Sequence, residues 1–528
     1  MRSLPAWEPA IARLAIAAVL MVFFHVSLGC GSETSGDDDD SDSAGSAGDD
    51  DGAFADDDGG DAADDDAGDD SDDDGPPPVE DDFDPDKRPV VCDGAVWVLN
   101  PEADYLSRID AADLSVSTIE VGRGPTVLRA TEDCETVVTL NTIAKTVSVI
   151  RDGAVAASLG VRPGANTLWI APGSRYALAT HHFEAGSTDT VGYGEVTVLD
   201  LRDLVSKSLA VGFPAADVAF NVSGDTAVLI TETAVAVLDL TDASANVLTT
   251  GLDPTAGETV KKIAVTPDGD HALVLAEGRT SLLALDLADL SFSDVDLGCY
   301  PTDLDVPRTG DRSLTVCREE GRVHLIDNDS LDATGYDVTE IVGSGEIAAD
   351  GSRAVLFTNA DQIERVHVFT TSDASLATFL TVKPILGVSL APGDARAVVF
   401  HEGGDGAPLD DFDAAMDTLH AFSIFNIDTG LLTPVQTPEP AEIISFSEDG
   451  ATALLPMPGA KSVILAHLDR GLADEIAFST KPLDGGIVTD LGLAFVLQEH
   501  PLGRISFIDV NTLHVDTITG FLLNGDIE

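Results

Sequence analysis

The chain of 528 residues has few aromatic side chains, few sulfur-containing residues and few positive charges. Aromatic residues make up 5% of the chain, so a core has to be built mainly from Val, Leu, Ile and Ala, for which the hydrophobic content of 44% is ample. Lys and Arg number 28 against 93 Asp and Glu, a formal net charge of −65. Because this charge repels polyanions, nucleic acid is excluded as an expected partner, and so is an anionic membrane surface.

Several motifs of catalysis and cofactor binding are also missing. The chain has no Gly-x-Ser-x-Gly elbow, no phosphate-binding loop and no His-Glu-x-x-His pair. It has no Cys-x-x-Cys-His, which excludes covalent c-type haem. The sequence therefore favours a protein without catalytic activity, and it predicts no catalytic residues.

The first residues have the pattern of an export signal. Arg2 and Arg13 are followed by an apolar stretch, residues 14–26, which is too short to span a bilayer comfortably. The stretch ends in Ser27-Leu28-Gly29-Cys30, which resembles a bacterial lipobox, although Ser27 stands where Leu is usual. We therefore expect residues 1–29 to be a lipoprotein signal peptide and Cys30 to be lipidated. The protein would then be exported and anchored in the bacterial cell envelope, at the outer membrane or the cell surface; an ordinary signal peptide with an incidental Cys is the alternative.

Residues 30–88 form an acidic, low-complexity segment. Residues 31–88 hold 26 Asp and Glu against two basic residues. Such a composition cannot bury enough apolar area to offset chain entropy, so we expect a disordered, extended tether. Its Asp runs could also collect Ca²⁺, but none has the full ligand pattern of a calcium loop.

The remaining four cysteines suggest two disulfide bonds, because an exported chain permits them. Cys299 precedes the first strand of one repeat and Cys317 ends its second strand, so a hairpin brings them near each other. Cys92 and Cys134 occupy corresponding places in the first two repeats, so adjacent repeats bring them within reach. We expect the pairs 299–317 and 92–134.

A unit of short strands recurs about ten times between Val96 and Thr519. Each copy has an apolar strand that ends in a bulky residue plus Asp, at spacings of 39 to 58 residues. These anchors are Ile109-Asp110, Leu199-Asp200, Leu238-Asp239, Leu285-Asp286, Ile326-Asp327, Ile427-Asp428, Leu468-Asp469 and Ile508-Asp509, with degenerate copies at Ile150-Arg151 and Phe369-Thr370. A period of this size indicates β-propeller blades. Residues 89–528 are thus predicted to be all-β, a single propeller of four-stranded antiparallel blades, with seven to ten blades left open.

The repeated Asp has a structural explanation, because a carboxylate after a strand accepts backbone N–H bonds in a turn.

The repeats resemble the bacterial YVTN-type β-propeller family, which is similar to lactonase-like, surface-layer and WD40-like propellers. Val96-Trp97-Val98-Leu99-Asn100 stands where that family has its Tyr-Val-Thr-Asn, and Ser107-Arg108-Ile109-Asp110 matches its third strand. The resemblance implies the fold and leaves the function open, because the family includes binding proteins and enzymes.

The two ends of the repeat region predict how the ring closes. An acidic segment and Pro89 precede Cys92, so the first repeat is expected to lack its first strand. The C-terminal piece Phe521-Leu522-Leu523 is expected to pair into the first blade and close the ring.

Two repeats carry long insertions between their second and third strands, from His181 to Glu195 and from His401 to Asp417. His and carboxylate side chains suit a divalent metal. The candidate ligands are His181, His182, His401, Glu402, Asp410, Asp411 and Asp413. Three interpretations stay open, namely no cofactor, a weak Ca²⁺ or Mg²⁺ site on the second insertion, and another divalent metal.

The leading functional hypothesis is a lipid-anchored propeller that acts as a non-catalytic binding scaffold for an envelope protein or glycan. The alternative is a metal-assisted, lactonase-like hydrolase, which needs three or more ligands converging in the axial channel. A structural repeat protein without a dedicated ligand is a third hypothesis.

Overall fold

The computed structural model describes residues 90–522 apart from 183–193, 213, 216, 232–233, 339–340, 361, 402–413, 415 and 417. These residues belong to the second of two compact units of the chain, residues 73–528. They form ten four-stranded antiparallel sheets, each made of four consecutive strands. The sheets are the ten blades of a propeller, so the all-β prediction is confirmed and the blade number is the upper end of the predicted range.

The strands follow the chain in blade order, with the first strand of each blade innermost. Blade 1 contains β1 (Val90–Cys92), β2 (Ala95–Asn100), β3 (Tyr105–Asp110) and β4 (Val116–Glu120). Blade 2 contains β5 (Pro125–Ala130), β6 (Val137–Asn141), β7 (Thr146–Arg151) and β8 (Ala154–Gly160). Blade 3 contains β9 (Thr167–Ile170), β10 (Tyr176–Thr180), β11 (Glu195–Asp200) and β12 (Val205–Ala210). Blade 4 contains β13 (Asp217–Phe220), β14 (Thr226–Ile230), β15 (Ala234–Asp239) and β16 (Ser244–Thr249). Blade 5 contains β17 (Thr259–Val265), β18 (His271–Glu277), β19 (Ser281–Asp286) and β20 (Phe292–Asp296).

The second half of the ring repeats this order. Blade 6 contains β21 (Asp303–Asp305), β22 (Arg312–Cys317), β23 (Arg322–Asp327) and β24 (Ala333–Asp337). Blade 7 contains β25 (Ser344–Ile347), β26 (Arg353–Phe357), β27 (Arg365–Thr370) and β28 (Ser375–Leu380). Blade 8 contains β29 (Ile385–Leu390), β30 (Arg396–His401), β31 (His420–Asn426) and β32 (Leu431–Thr437). Blade 9 contains β33 (Ser445–Phe446), β34 (Thr452–Met457), β35 (Ser462–His467) and β36 (Leu472–Ala477). Blade 10 contains β37 (Pro482–Val488), β38 (Leu493–Gln498), β39 (Arg504–Asp509) and β40 (Val515–Thr519), and short 3-10 helices lie at Pro254–Ala256 and Thr489–Leu491.

Strand alternation divides each blade between two hydrophobic seams. In β10, Tyr176 and Leu178 pack toward blade 4, whereas Ala177 and Ala179 pack toward blade 2. Because neighbouring residues of a strand point to opposite faces, a fully buried strand serves the blade on either side. The described residues form ten hydrophobic clusters, and each cluster fills one seam between adjacent blades. The outer fourth strands are mostly exposed, as in β12.

Polar side chains also join adjacent blades. The first residue of the second strand donates to a backbone carbonyl of the next blade in three consecutive blades. Arg312 bonds to Thr371 at 3.4 Å, Arg353 to Asp394 at 2.7 Å and Arg396 to Gly450 at 3.5 Å. These contacts add a polar link across each of the three seams between blades 6 and 9.

The repeated Asp residues act in turns, as predicted. Asp286 accepts the N–H groups of Asp289 and Ala288, and these bonds hold its pKa below the usual value. The same bonds occur at Asp200, Asp239, Asp327 and Asp509. In blade 8 the assignment to Asp428 is wrong, since Asn426 accepts the N–H of Thr429. Blade 9 shows the same displacement, because β35 ends at His467, two residues before Asp469.

The ends of the ring differ from the prediction in two respects. The expected lack of a first strand in blade 1 is wrong, because Val90–Cys92 pairs with β2. The C-terminal segment does reach blade 1, where Ser107 Oγ donates to the carbonyl of Phe521 at 2.8 Å and Asn100 Nδ2 to that of Leu522 at 3.0 Å. It reaches the blade through side chains rather than as a paired strand, and Leu523 lies outside the described residues. Phe521 belongs to the cluster that fills the seam between blades 10 and 1, which closes the ring.

Candidate binding cleft

The candidate metal ligands lie in blades 3 and 8, at opposite sides of the ten-blade ring. His181 follows β10, and its Nδ1 lies 2.7 Å from the carbonyl oxygen of Gly164. His401 ends β30, and its Nδ1 lies 3.2 Å from the carbonyl oxygen of Pro384. The two imidazoles therefore have the same role, which is to fix the end of the second strand to the segment before the first strand. Of the other candidates, Glu402, Asp410, Asp411 and Asp413 lie outside the described residues.

The environment of His401 is that of a structural core residue. Its Nε2 lies 2.8 Å from the hydroxyl of Ser423, and burial lowers its pKa to about 4. His182 is fixed through its backbone N–H, which donates to the Asn166 side chain at 2.7 Å. The structure does not bring the histidines of the two insertions together, because blades 3 and 8 have four other blades between them on either side of the ring.

The four cysteines among the described residues are joined in two disulfide bonds. Cys92 is bonded to Cys134 and Cys299 to Cys317, with Cα–Cα distances of 5.2 and 6.1 Å. His324 Nδ1 lies 4.0 Å from the sulfur atoms of both Cys299 and Cys317. These three are the one group of His, Cys, Asp or Glu residues close enough to share a metal among the described residues, and its sulfur atoms are bonded to each other.

Carboxylates on the innermost strands join blades rather than converge. Asp303 accepts the Gly345 N–H at 2.8 Å and the Ser344 hydroxyl at 3.1 Å, both from blade 7. Lys262 of blade 5 lies 3.3 Å from the same carboxylate. In blade 10, the corresponding Asp484 bonds only to the N–H of Gly485 among the described residues, and burial raises its pKa to about 6.

A cleft of about 1060 Å³ opens on blades 1 to 3. It is lined by turns that join first to second strands and third to fourth strands. It therefore lies on the face opposite the two insertions, which join second to third strands. Four of the 28 basic residues of the chain line it, Arg108, Arg151, Arg175 and Arg202, and we name it the arginine cleft.

Two of its arginines are held in place by the blades. Arg151 Nε donates to the Thr136 hydroxyl at 3.0 Å, and its Nη2 bonds to the carbonyl of Leu201 in blade 3. Arg175 pairs with Asp200 at 2.8 Å, and its guanidinium lies 4.8 Å from the centre of the Tyr176 ring. These contacts order the wall of the cleft before any ligand arrives.

The other two arginines have weaker partners. Arg108 lies 5.9 Å from the centre of the Trp97 ring and 3.8 Å from the Asp110 carboxylate. The Arg202 guanidinium is exposed and has no side-chain partner within the described part of the chain. The Trp97 side chain is 7% exposed, and its buried Nε1 has no acceptor there either.

Four exposed acidic residues also line the cleft, Asp93, Asp133, Glu135 and Asp152. Asp133 accepts the Thr131 hydroxyl at 2.6 Å, and this bond holds its pKa below the usual value. The lining thus carries equal numbers of acidic and basic groups, in a chain whose net charge is −65.

Sequence reasoning did not find this cleft, although one signal was present. Arg151 stands where most repeats have Asp, so blade 2 exchanges a turn carboxylate for a guanidinium. The other three arginines carry no such mark. They meet because blades 1 to 3 are adjacent in the ring.

Among the described residues, no helix has the length and hydropathy needed to cross a membrane.

No protein-family model and no curated protein matches the chain. Among solved structures, it is similar to dihydro-heme d1 dehydrogenase NirN in complex with DHE, at 15% identity and a TM-score of 0.45 over 68% of this chain and 75% of that one. A eukaryotic initiation factor is 11% identical, with a TM-score of 0.49 over 71% and 94% of the two chains. Hydrazine synthase of Kuenenia stuttgartiensis is 13% identical, with a TM-score of 0.30 over 77% and 97%. These likenesses carry no argument about function.

Proposed function

We propose that the protein is a non-catalytic binding module of the bacterial cell envelope and that the arginine cleft is its ligand site. One observation carries this proposal, namely a cleft of about 1060 Å³ that gathers four guanidinium groups in an acidic protein. Ligand sites are usually preformed concavities with a few convergent polar groups. The bonds of Arg151 and Arg175 to their own blades provide that preformed order.

The address of the module belongs to the same proposal. Residues 1–29 act as a signal peptide, Cys30 carries the lipid, and residues 30–88 hold the propeller away from the membrane. The support is the lipobox-like segment at residues 27–30 and the Asp-rich composition that follows it. Labelling with a radioactive fatty acid tests the anchor, since Cys30→Ala has to abolish the label while the export signal stays intact.

The YVTN-type assignment is also part of the proposal. Its support is that Val96–Asn100 lies within β2 and Ser107–Asp110 ends β3. No observation favours the lactonase-like hydrolase. It needs three converging ligands, whereas the inner-strand carboxylates of Asp303 and Asp305 instead bond to blade 7.

Blocking the cleft tests the binding function. Ser117 is exposed on β4 and lines the cleft, so the bulky side chain of Ser117→Trp obstructs the cleft without replacing a core residue. Ser293 is the equivalent exposed residue of β20 in blade 5, which makes Ser293→Trp the matched control. Full-length protein immobilised on beads should capture an envelope component, Ser117→Trp should lose it and Ser293→Trp should keep it. Equal capture by both variants refutes the assignment of the site.

A further inference from the structure

We infer that the arginine cleft binds an acidic saccharide, that is, a sugar chain that carries carboxylate or sulfate groups. This inference rests on the proposed function and names its ligand class. It follows from which donors in the cleft are unused, from a buried donor beneath them, and from the acidic rim.

The unused positive charges are Arg108 and Arg202. Arg108 meets Asp110 only at 3.8 Å, beyond hydrogen-bond distance, and Arg202 forms no side-chain bond within the part of the chain that the structure describes. A guanidinium presents its donors in a planar fork that matches an oxyanion. Arg151 and Arg175 are already held by blades 2 and 3, whereas Arg108 has only a long ion pair and Arg202 has no side-chain bond among the described residues, so these two guanidinium groups are the ones most available to a ligand.

A second, independent observation also points to a ligand. Trp97 lines the cleft and its side chain is more than nine-tenths buried, yet its indole N–H has no acceptor among the described residues. Buried donors are rarely left unpaired in native proteins. Arg108 lies over the same ring, 5.9 Å from its centre, so a group bound at Arg108 changes the surroundings of the Trp97 side chain.

The acidic rim decides which oxyanion ligand fits. Asp93, Glu135 and Asp152 are exposed around the cleft, and their carboxylates accept bonds only from donors. They repel a ligand that consists of anionic groups alone, whereas sugar hydroxyls donate to them. The volume of about 1060 Å³ points the same way, because a single inorganic anion leaves most of it to water. A saccharide that carries both acidic groups and hydroxyls satisfies both sets of side chains.

Calorimetric titration of the full-length protein tests the inference. The probes are an oligogalacturonate, a neutral oligosaccharide of the same length and inorganic sulfate. The oligogalacturonate should bind at least about tenfold more tightly than the other two. Arg108→Gln and Arg202→Gln should each weaken it about tenfold, the effect of losing one charge-assisted hydrogen bond.

Arg322→Gln is the matched control. Arg322 lies on β23 in blade 6, far along the ring, and pairs with exposed Asp337 at 2.8 Å. The Arg322→Gln substitution removes the same charge but lies outside the cleft. It should therefore change the affinity for oligogalacturonate less than about twofold. A change in tryptophan fluorescence on titration, lost in Trp97→Phe, would place the ligand at the cleft.

Each other outcome overturns the inference. Binding of oligogalacturonate that Arg108→Gln and Arg202→Gln leave unchanged places the sugar elsewhere. Equal binding of the neutral sugar, or no binding of any probe, excludes the acidic saccharide as the ligand. The proposed function survives these results if Ser117→Trp still loses the envelope component that Ser293→Trp retains, so the two failures can be told apart.

Discussion

Asp484 gives the sharpest prediction about stability, because its carboxyl group is partly buried on the innermost strand of blade 10 and accepts one hydrogen bond among the described residues. Burial raises its pKa to about 6 from 3.8, and only the Gly485 N–H opposes this rise. A carboxyl group whose pKa is higher in the folded state than in the unfolded chain stabilises the fold when it is protonated. This stabilisation is complete at pH values below the pKa of the group in the unfolded chain. This stability is lost as the pH rises through about 6, because the folded protein must then hold a partly buried charge.

The magnitude follows from the shift. A rise of about two pKa units corresponds to about 3 kcal/mol, at about 1.4 kcal/mol for each unit. The side chain is partly exposed, so screening by water reduces this to about 1–2 kcal/mol. Asn has the same shape, keeps the acceptor for Gly485 and carries no charge. Asp484→Asn should therefore raise the free energy of unfolding by about 1–2 kcal/mol at pH 7.5 and change it little at pH 4.

Urea denaturation followed by circular dichroism at both pH values measures this difference. The acidic tether titrates equally in both proteins, so its contribution cancels. Asp303→Asn is the control of opposite sign, since Asp303 accepts bonds from Ser344 and Gly345 and lies 3.3 Å from Lys262. It should lose about 2 kcal/mol at pH 7.5. An Asp484→Asn protein that is less stable than the parent at pH 7.5, or equally shifted at both pH values, refutes the reasoning.

Three further predictions concern the disulfide at the cleft, a turn and a buried histidine. Replacing Cys92 and Cys134 by Ala opens a loop whose ends are 42 residues apart. The double variant should lose about 3–4 kcal/mol of unfolding free energy, measured by urea denaturation. An unchanged urea midpoint would show that this disulfide bond does not stabilise the fold. Asn426→Ala should lower the free energy of unfolding by about 1 kcal/mol, because Asn426 accepts the turn N–H of Thr429. Asp428→Ala should lower it less, because Asp428 contributes only an exposed ion pair. The reverse order of the two effects would contradict the assignment of the turn to Asn426. The pKa of His401 is lowered to about 4, so neutral His401 stabilises the fold above about pH 6.5, and up to about 3 kcal/mol of that stability is lost as the pH falls toward 4. His401→Gln should therefore flatten this part of a profile of unfolding free energy against pH. An unaltered slope would contradict the prediction.

The strand pattern was predictable because it is written in local alternation. In blade 5, for example, short runs of apolar residues lie within β17, Thr259–Val265, and β18, His271–Glu277. The turn role of residues such as Asp286 was predictable for the same reason, since its partners lie two and three residues away. The strand at Val90–Cys92 was not predicted, because three residues next to an acidic segment are too few to show the alternation of buried and exposed side chains.

The candidate site was less accessible from the sequence. The two His-ended insertions attracted attention because they interrupt the repeat, yet His181 and His401 are fixed to backbone carbonyls of their own blades. The arginine cleft lies on the other face, and its arginines are spread from residue 108 to residue 202. A pattern with a period of about forty residues does not say which turns of adjacent blades form one concave surface.

The sequence by itself determined the propeller architecture, the strands within each blade and the chemistry of the turns, because all of these depend on residues a few positions apart. The ten-blade count, the closing seam with Phe521 and the shared cleft of Arg108, Arg151, Arg175 and Arg202 were decided only by the tertiary structure. The physical reason is that each of them depends on how one blade packs against the next. That packing is set by the hydrophobic seams, which join residues of neighbouring repeats and leave no mark within any single one.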